Sequence, residues 1–172
     1  MPISVRRATL ADAPLLKEWR LRPHVATAFG NEAPPNWAEE LQIKADWHDP
    51  VIAEDDGRPI GYVEIIDPAR EEGHYWGAVE ENLRALDIFV ADEADLGKGY
   101  GAEMMRLALA RCFNEPRVKA VIIDPLASNT RAIRFYERLG FAHEAPRRFD
   151  DGNECAIMRM TREDWATRSA LR

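Results

Sequence analysis

The hydrophobic and polar positions of the first fifty residues change from a strand-like to a helix-like period. Residues 3–7 alternate and predict a strand. A cap at Thr9 and apolar residues at helical spacing predict a helix that continues through Trp19. A second helix is predicted from about Asn36 towards Trp47. The chain therefore begins as β-α-α.

The remaining elements also follow from period and turn residues. Two strand-like runs flank Asp56-Gly57, which predicts a hairpin, and residues 67–82 read as a polar loop. The later predicted elements are a strand at 84–91, a helix from about Gly99 to Phe113, a strand at 118–124, a helix from Ser128 or Asn129 to Gly140, and strands at 141–144 and 155–160 around a turn at 150–153. This order predicts an α/β (α+β) fold in which helices cover a mixed sheet.

Composition and length narrow the class of protein. A chain of 172 residues is the usual size of one domain, predicted here to span 1–172, and it is long enough to bury its own core. No run of apolar residues is long enough to cross a membrane, and the first residues lack a signal-peptide core, so a cytoplasmic protein is expected. Cys112 and Cys155 read as small buried hydrophobes. They cannot supply a set of zinc ligands, and no metal is expected.

The charge of the chain argues against some partners. With 23 basic and 30 acidic residues, the formal net charge is −7, which argues against nucleic-acid binding. Ten of the acids lie between Glu64 and Asp95, where only Arg70 and Arg84 oppose them. Such a run is either a solvated acidic face or a surface that attracts a cationic ligand. Composition leaves both readings open.

A glycine-rich loop follows the strand at 84–91 and opens a helix. Its sequence is LGKGYG, residues 96–101. Glycines allow a ligand to approach the backbone closely, and the free N–H groups of a helix N-terminus bind anions. The loop is neither a Walker A motif nor a GxGxxG dinucleotide motif. A turn that merely joins strand to helix is the alternative.

Two blocks together resemble the GNAT acetyltransferase superfamily. The first is ALDIFVADEADLGKGYGAEMMRLALARCF, and the second is DPLASNTRAIRFYERLGF. Within the superfamily they are most similar to aminoglycoside 6′-N-acetyltransferases, while siderophore-assembly and protein-acetylating relatives share parts of the pattern. The resemblance implies a mostly antiparallel sheet of about six to seven strands with about four helices. It also implies a splayed strand pair that holds acetyl-CoA.

The resemblance assigns cofactor contacts to three segments. In the superfamily, backbone N–H groups of the glycine-rich loop hold the CoA pyrophosphate, here at Gly97, Lys98, Gly99, Tyr100, Gly101 and Ala102. The superfamily has Gln or Arg where this chain has Leu96, so one side-chain contact is lost. The preceding strand contributes backbone groups at Phe89, Val90 and Ala91, and Asn129 matches the residue that reaches the pantetheine arm. A helix-capping role for Asn129 is compatible with this contact.

Two residues match catalytic positions of the superfamily. Tyr136 matches the tyrosine that protonates the departing thiolate, and a phenol is a suitable acid for a thiolate. Asp87 interrupts an apolar strand pattern and matches an aspartate beside the reactive amine. A core tyrosine and a salt-bridged aspartate are the structural alternatives.

The resemblance also predicts an acidic acceptor cleft. Its predicted members are Trp76, Glu80, Asp87, Asp124, Asp150 and Asp151. The expected activity is acetyl-CoA-dependent N-acetylation of a small cationic amine, by direct transfer in a ternary complex because no cysteine sits where an acyl-enzyme nucleophile would be needed. A protein amine, a siderophore precursor and a non-catalytic CoA-binding module remain alternatives. The resemblance leaves a homodimer open.

Overall fold

The computed structural model describes residues 2–171, which form one seven-stranded sheet with helices on both of its faces. The strands are β1 (Ile3–Arg7), β2 (His48–Asp55), β3 (Arg58–Ile66), β4 (Leu83–Val90), β5 (Ala120–Ile123), β6 (Ala142–His143), β7 (Arg147–Arg148), β8 (Glu154–Cys155) and β9 (Met158–Thr161). The order in the large sheet is β1-β2-β3-β4-β5-β9-β6, and β7 pairs with β8 separately. The helices of the described residues are α1 (Ala13–Arg20), α2 (Pro23–Phe29), α3 (Trp37–Glu40), α4 (Tyr100–Phe113), α5 (Thr130–Leu139) and α6 (Arg162–Ala170).

The mixed, mostly antiparallel sheet confirms the predicted fold class. All neighbouring strands of the large sheet run antiparallel except β4 and β5, which are parallel. The Asp56-Gly57 hairpin is also confirmed, since both residues have positive φ angles of 49° and 79°. That backbone twist matches the twist of paired strands and is the reason such dipeptides close hairpins.

Strand alternation divides the core between the two faces of the sheet. In β2, Val51 and Ala53 pack on the face that α4 covers, whereas Ile52 packs on the opposite face with Trp19 of α1. Met104 of α4 is fully buried on the first face. Burying a side chain of this size contributes about 1.5–3 kcal/mol, so packing on both faces stabilises the sheet that carries the site.

The two parallel strands separate along their length. Only Leu83–Ala85 of β4 pairs with Ala120–Ile122 of β5, and β4 continues for five further residues without this partner. The second half of β4 therefore has an edge with unpaired backbone groups inside the molecule. A gap that opens in the middle of a sheet is a place for a ligand to pair with the strand.

The helices differ from the prediction in three places. Helix α2 was not expected, because proline and the β-branched residues that follow it are unfavourable inside a helix. Pro23 instead occupies the first helical position, where its missing N–H costs nothing. Helix α6 was not expected because it begins directly after β9, capped by Thr161. The predicted helix from Asn36 to Trp47 is wrong beyond α3, since the chain turns after Leu41.

The prediction of a final strand over 155–160 is also corrected. Strand β8 ends at Cys155, two residues intervene, and β9 begins at Met158. Ala156 donates its backbone N–H to the carbonyl of Pro125, so the chain leaves one ladder before joining the next. None of the helices in the described part of the chain combines the length and the apolarity that a membrane crossing requires.

Candidate active site

Three adjoining cavities meet where β4 separates from β5. A central chamber of about 110 Å³ contains Asp87 of β4, Asp124 after β5 and Tyr136 of α5. It opens on one side into a long groove of about 490 Å³ between β4 and α5. On the other side it opens into an acidic cleft of about 360 Å³. Two ligands that enter from opposite sides can therefore meet in the chamber.

The glycine-rich loop forms one wall of the long groove. Gly97 and Gly99 have φ angles of 76° and 88°, a conformation that favours glycine. Gly99 is the N-cap of α4, so the first N–H groups of this helix have no partner within the helix. Gly101 and Ala102 also line the groove. The wall offers backbone donors to an anion, and the contacts of this loop with a cofactor stay a prediction.

The side chains of Lys98 and Tyr100 point away from this groove. The Lys98 ammonium lies 3.2 Å from the buried carboxylate of Asp95, which also accepts a hydrogen bond from Arg58 at 2.8 Å. Tyr100 packs in the core, and its hydroxyl donates to Asp55. These contacts fasten the loop to the β2–β3 hairpin. For both residues, only a backbone contact with the cofactor remains a prediction.

The backbone of Ala91 is committed to the protein, which corrects its predicted role. Its N–H donates to the carbonyl of Ile60 at 2.8 Å, and its carbonyl accepts from Arg22 at 2.7 Å. Because hydrogen-bonding direction alternates along an antiparallel strand, the backbone of Phe89 also points towards β3. The aromatic ring of Phe89 nevertheless contributes to the lining of the long groove.

The same alternation turns the backbone groups of Ile88 and Val90 towards the gap. The carbonyl of Val90 confirms this direction, since it lies 3.0 Å from Nε2 of His24 on α2. The prediction for Val90 is therefore compatible with the structure, and Ile88 is a candidate that the sequence did not reveal. The alternation of residues along a strand shows which side chains share a face of the sheet. It does not show along which edge the strand is left without a neighbouring strand.

Asn129 lies at the boundary between the central chamber and the long groove. Its Oδ1 accepts the backbone N–H of Ala132 at 3.1 Å and caps α5. Its amide NH₂ forms no hydrogen bond within the described residues. The predicted capping role is seen, and the amide donor remains for a ligand.

The Asp87 carboxylate is half-buried and has neither a hydrogen bond nor an ion pair within residues 2–171. It lies directly opposite Glu64 in the β3–β4 ladder. Burial raises the pKa of Asp87 well above its ordinary value, and the charges of Asp124 and Glu64 raise it further, against a smaller opposing effect of Arg20. The salt-bridged structural alternative therefore does not describe this residue. Its environment favours a cationic partner or a bound proton.

Asp124 is held at the other side of the chamber. The Tyr75 hydroxyl donates to its Oδ2 at 2.7 Å, and the Tyr75 ring stacks on Phe149 with centroids 4.4 Å apart. Burial raises the pKa of Asp124 to about 7, in spite of the Tyr75 hydrogen bond that lowers it. This carboxyl group can change its protonation state near neutral pH.

Tyr136 borders both the chamber and the long groove. Its ring packs edge-on against Phe135 and Phe141, so the residue also belongs to the core, as the structural alternative held. Burial raises the pKa of Tyr136, and the charges of Asp87 and Asp124 add to this effect. The phenol therefore keeps its proton at neutral pH and is available as a donor.

Carboxylates dominate the acidic cleft, and no lysine or arginine among the described residues lines it. Its acidic residues are Glu32, Glu40, Glu64, Glu71, Glu72, Asp87 and Asp124. The predicted Trp76 is buried and lines this cleft together with Trp37 and Trp47. Burial, followed by the charge of Asp87, raises the pKa of Glu32 to about 8.

Three predicted members of the cleft lie elsewhere or only near it. Glu80 is exposed and forms an ion pair with Arg159, so the structure does not bring it to the cleft. Asp150 is exposed at the β7–β8 turn and lines none of the three cavities. Asp151 accepts the backbone N–H of Asn153 at 2.8 Å and is close enough to raise the pKa of Asp124.

One group of side chains with metal-ligand types was not expected from the sequence. Donor atoms of Glu40, His48 and Glu64 lie within 4.8 Å of one another. Nε2 of the buried His48 is 2.8 Å from the Glu64 carboxylate, whereas its Nδ1 is buried without a partner. A metal-bound histidine usually donates its other N–H to a neighbour. A His48–Glu64 hydrogen bond therefore explains the arrangement better than a metal ligand set.

Cys155 also lines the central chamber, a position that the sequence did not reveal. Its thiol is buried, and the pKa of this thiol is raised to about 12 by burial and by neighbouring acids, Asp124 first. The nucleophilic form of cysteine is the thiolate. Cys155 is therefore present as a protonated thiol at neutral pH.

Comparisons with known proteins agree with this architecture. Residues 8–149 match the acetyltransferase (GNAT) domain family. The chain is 31% identical over 158 residues to aminoglycoside N(6′)-acetyltransferase type 1 of Klebsiella pneumoniae, covering 87% of this chain and 79% of the relative. It is 33% identical over 144 residues to the lysine N-acyltransferase MbtK of Mycobacterium tuberculosis, covering 81% of this chain and 68% of the relative.

Solved structures give the same result. The aminoglycoside acetyltransferase AAC(6′)-Ib in complex with coenzyme A and kanamycin superimposes with a TM-score of 0.84 at 28% identity. This match covers 96% of the present chain and 98% of the other. The chain belongs to the GNAT acetyltransferase family, and it is an N-acetyltransferase that uses acetyl-CoA. Its predicted similarity to aminoglycoside 6′-N-acetyltransferases is confirmed.

Proposed function

We propose that this enzyme acetylates a primary amine of a small polycationic acceptor of the aminoglycoside type. The observation that carries the proposal is the acidic cleft, where residues 2–171 contribute seven carboxylates and no lysine or arginine to the lining. Such a surface attracts and orients a molecule with several ammonium groups. The similar AAC(6′)-Ib structures, which contain kanamycin or ribostamycin, support the same acceptor class.

In the proposed reaction, acetyl-CoA lies in the long groove and its thioester reaches the central chamber. The backbone N–H groups at the start of α4 bind the pyrophosphate, and the NH₂ group of Asn129 contacts the pantetheine arm. A backbone N–H of Ile88 or Val90 donates to the thioester carbonyl, where negative charge develops during the reaction.

Asp87 and Tyr136 have complementary roles in the transfer. Asp87 binds the acceptor ammonium and takes one of its protons, directly or through water, so that the neutral amine attacks the thioester carbon. The new C–N bond forms, the C–S bond breaks, and Tyr136 donates its proton to the departing sulfur. The position of Tyr136 supports this assignment, because it lies where the chamber meets the long groove and its phenol carries a proton at neutral pH.

Direct transfer between the two substrates follows from the state of Cys155. We expect a Cys155→Ala variant to keep kcat within about threefold of wild type, since a protonated buried thiol is a poor nucleophile. Steady-state kinetics with both substrates varied provides the measurement. An inactive but folded variant, or an acetylated Cys155 detected by mass spectrometry, would replace direct transfer by an acyl-enzyme route.

A second acceptor class is favoured by the similarity to MbtK, whose name specifies a lysine substrate. Free lysine carries an α-carboxylate, and the described part of the chain places no lysine or arginine in the lining of the acidic cleft to receive it. The decisive experiment is a thiol-release assay with acetyl-CoA and a panel of kanamycin, ribostamycin, spermidine, lysine, a lysine peptide and a hydroxylamine. The proposal requires aminoglycosides to have the largest kcat/KM. A preference for lysine, the peptide or the hydroxylamine would overturn it.

A further inference from the structure

The arginines of helix α5 differ from most arginines of this protein. Eleven arginines form ion pairs with carboxylates, and three others donate to backbone carbonyls. Arg131, Arg134 and Arg138 of α5, and Arg168 of α6, do neither within the described residues, and the first three are neighbours on one helix. In a chain with a net charge of −7, three neighbouring cations without acidic partners need another explanation.

Helix stability does not provide that explanation. Arg131 lies in the first turn of α5, where the helix dipole disfavours positive charge. Arg134 follows it by three residues and precedes Arg138 by four, so like charges repel along the same helix surface. An anion bound nearby would relieve both effects.

Two of these three arginines border the long groove. Arg131 and Arg138 line it, whereas Arg134 does not. Phe135 lies between them on the lining surface, close to Gly101 of the opposite wall. The other charged groups at the groove are occupied: Asp95 by Arg58 and Lys98, and the His24 ring by the carbonyl of Val90. The lining therefore has two unpaired cations on one side and free helix N–H groups on the other.

Acetyl-CoA has a diphosphate and a separate 3′-phosphate on its ribose. The start of α4 supplies backbone donors suited to the diphosphate. We propose that Arg131 and Arg138 bind the 3′-phosphate and so select CoA over molecules that lack this group. Guanidinium groups suit phosphate because they combine charge with a planar set of donors. This inference rests on acetyl-CoA binding in the long groove, which belongs to the proposed function.

The test compares CoA with 3′-dephospho-CoA by calorimetry on the intact protein, without any acceptor. Wild type should bind CoA about tenfold more tightly than 3′-dephospho-CoA, a typical effect of losing a charge-assisted contact at a partly exposed site. The Arg131→Gln/Arg138→Gln double variant should reduce this ratio to about two or less while its affinity for 3′-dephospho-CoA stays near that of wild type. Arg134→Gln, on the same helix but outside the groove, is the matched control and should keep the wild-type ratio.

Each result has a definite meaning. Equal loss of affinity for both ligands in the double variant would assign the arginines to the diphosphate or to folding and would overturn the inference. An unchanged ratio in the double variant, or equal affinities in wild type, would also overturn it. If wild type binds CoA with no measurable affinity, the proposed cofactor site itself fails. Binding without a 3′-phosphate preference refutes only the present inference.

Discussion

At the scale of single residues, Asp87 combines a half-buried carboxylate, an opposing acid in the neighbouring strand and no protein cation in direct contact. Such a carboxylate costs free energy in the free enzyme unless it binds a proton. An incoming ammonium removes that cost while it delivers the nitrogen to the chamber. A residue that destabilises the empty site in this way is well suited to bind and deprotonate the acceptor.

Replacing Asp87 with Asn tests this role, since the shape is kept and the charge is removed. We expect kcat/KM for a cationic amine to decrease at least 10²-fold, with the affinity for acetyl-CoA nearly unchanged. Steady-state kinetics and calorimetry on the same preparation separate the two effects. A variant with near-normal kcat/KM would place the base elsewhere, and Asp124 would be the next candidate because its pKa is about 7.

Tyr136 requires a different test because it also packs in the core. Tyr136→Phe removes only the hydroxyl, which forms no hydrogen bond within the described residues, so stability and acetyl-CoA affinity should be retained. Turnover should decrease by roughly 10²-fold or more if the hydroxyl is the general acid. Phe141→Leu, which alters the ring packed against Tyr136 without lining any of the three cavities, controls for a change in ring packing. A wild-type rate in Tyr136→Phe would leave this residue with a packing role alone.

At the scale of elements, the glycine-rich loop and α4 depend on backbone conformation more than on side chains. Gly99 has a φ of 88° at the N-cap of α4, and a β-branched residue is strained there. Gly99→Val should therefore weaken acetyl-CoA binding by more than tenfold, or about 1.4 kcal/mol. Calorimetry on a folded variant measures this directly. Unchanged affinity would mean that the loop only connects strand to helix.

The elements that the sequence predicted well are those with local signals. The Asp56-Gly57 turn and the helix after the glycine-rich loop are specified by residues that are adjacent in the chain. Helices α2 and α6 have weaker local patterns, and packing on the sheet decides their formation. In α6, for example, Trp165 stacks on Phe113, a contact between residues 52 positions apart.

The residues of the candidate site also divide into those with a local sequence signal and those without one. Asp87, Asp124 and Tyr136 were found because each belongs to a continuous motif, and the fold brings all three to one chamber. Glu32 was missed because it lies between α2 and α3, where the sequence has no periodic pattern, and Glu40 because the end of the short helix α3 carries no motif that marks a site. Only the packing of residues 32–40 over β3 and β4 places their carboxylates in the cleft. The roles assigned to all these residues stay predictions until the variants are measured.

At the scale of the whole molecule, charge is divided between the two ends of the site. The acceptor side is lined by carboxylates, and the cofactor side ends at unpaired arginines. The two substrates of the proposed function would have matching charges, since an aminoglycoside is cationic and acetyl-CoA is anionic. We expect this separation to direct each substrate to its own side. The net charge of −7 does not reveal the separation, because it is a sum over the whole chain.

The acidic residues of the cleft also allow a prediction of how the free energy of unfolding depends on pH. Burial raises the pKa of Glu32 to about 8 and that of Asp124 to about 7, while both groups have pKa values near 4 in an unfolded chain. Between these values the folded protein binds more protons than the unfolded chain. The free energy of unfolding is therefore highest at the acidic side of this window and decreases as pH rises through 7 to 8.

We expect Tm to be higher at pH 5.5 than at pH 8.5, by roughly 10 °C for a chain of this size. Groups such as Asp12 and Asp95, whose pKa values are lowered by arginine partners, affect stability only at more acidic pH.

Glu32→Gln should reduce the difference in Tm between the two pH values, because it removes one carboxyl group that must ionise inside the cleft. An aminoglycoside should raise Tm more at pH 8.5 than at pH 5.5, since it binds the ionised form. Calorimetric scans at the two pH values, with and without kanamycin, measure all three effects. A Tm that increases with pH in the absence of ligand would show that charges within the protein already neutralise the acids of the cleft. The electrostatic argument for the proposed acceptor class would then fail.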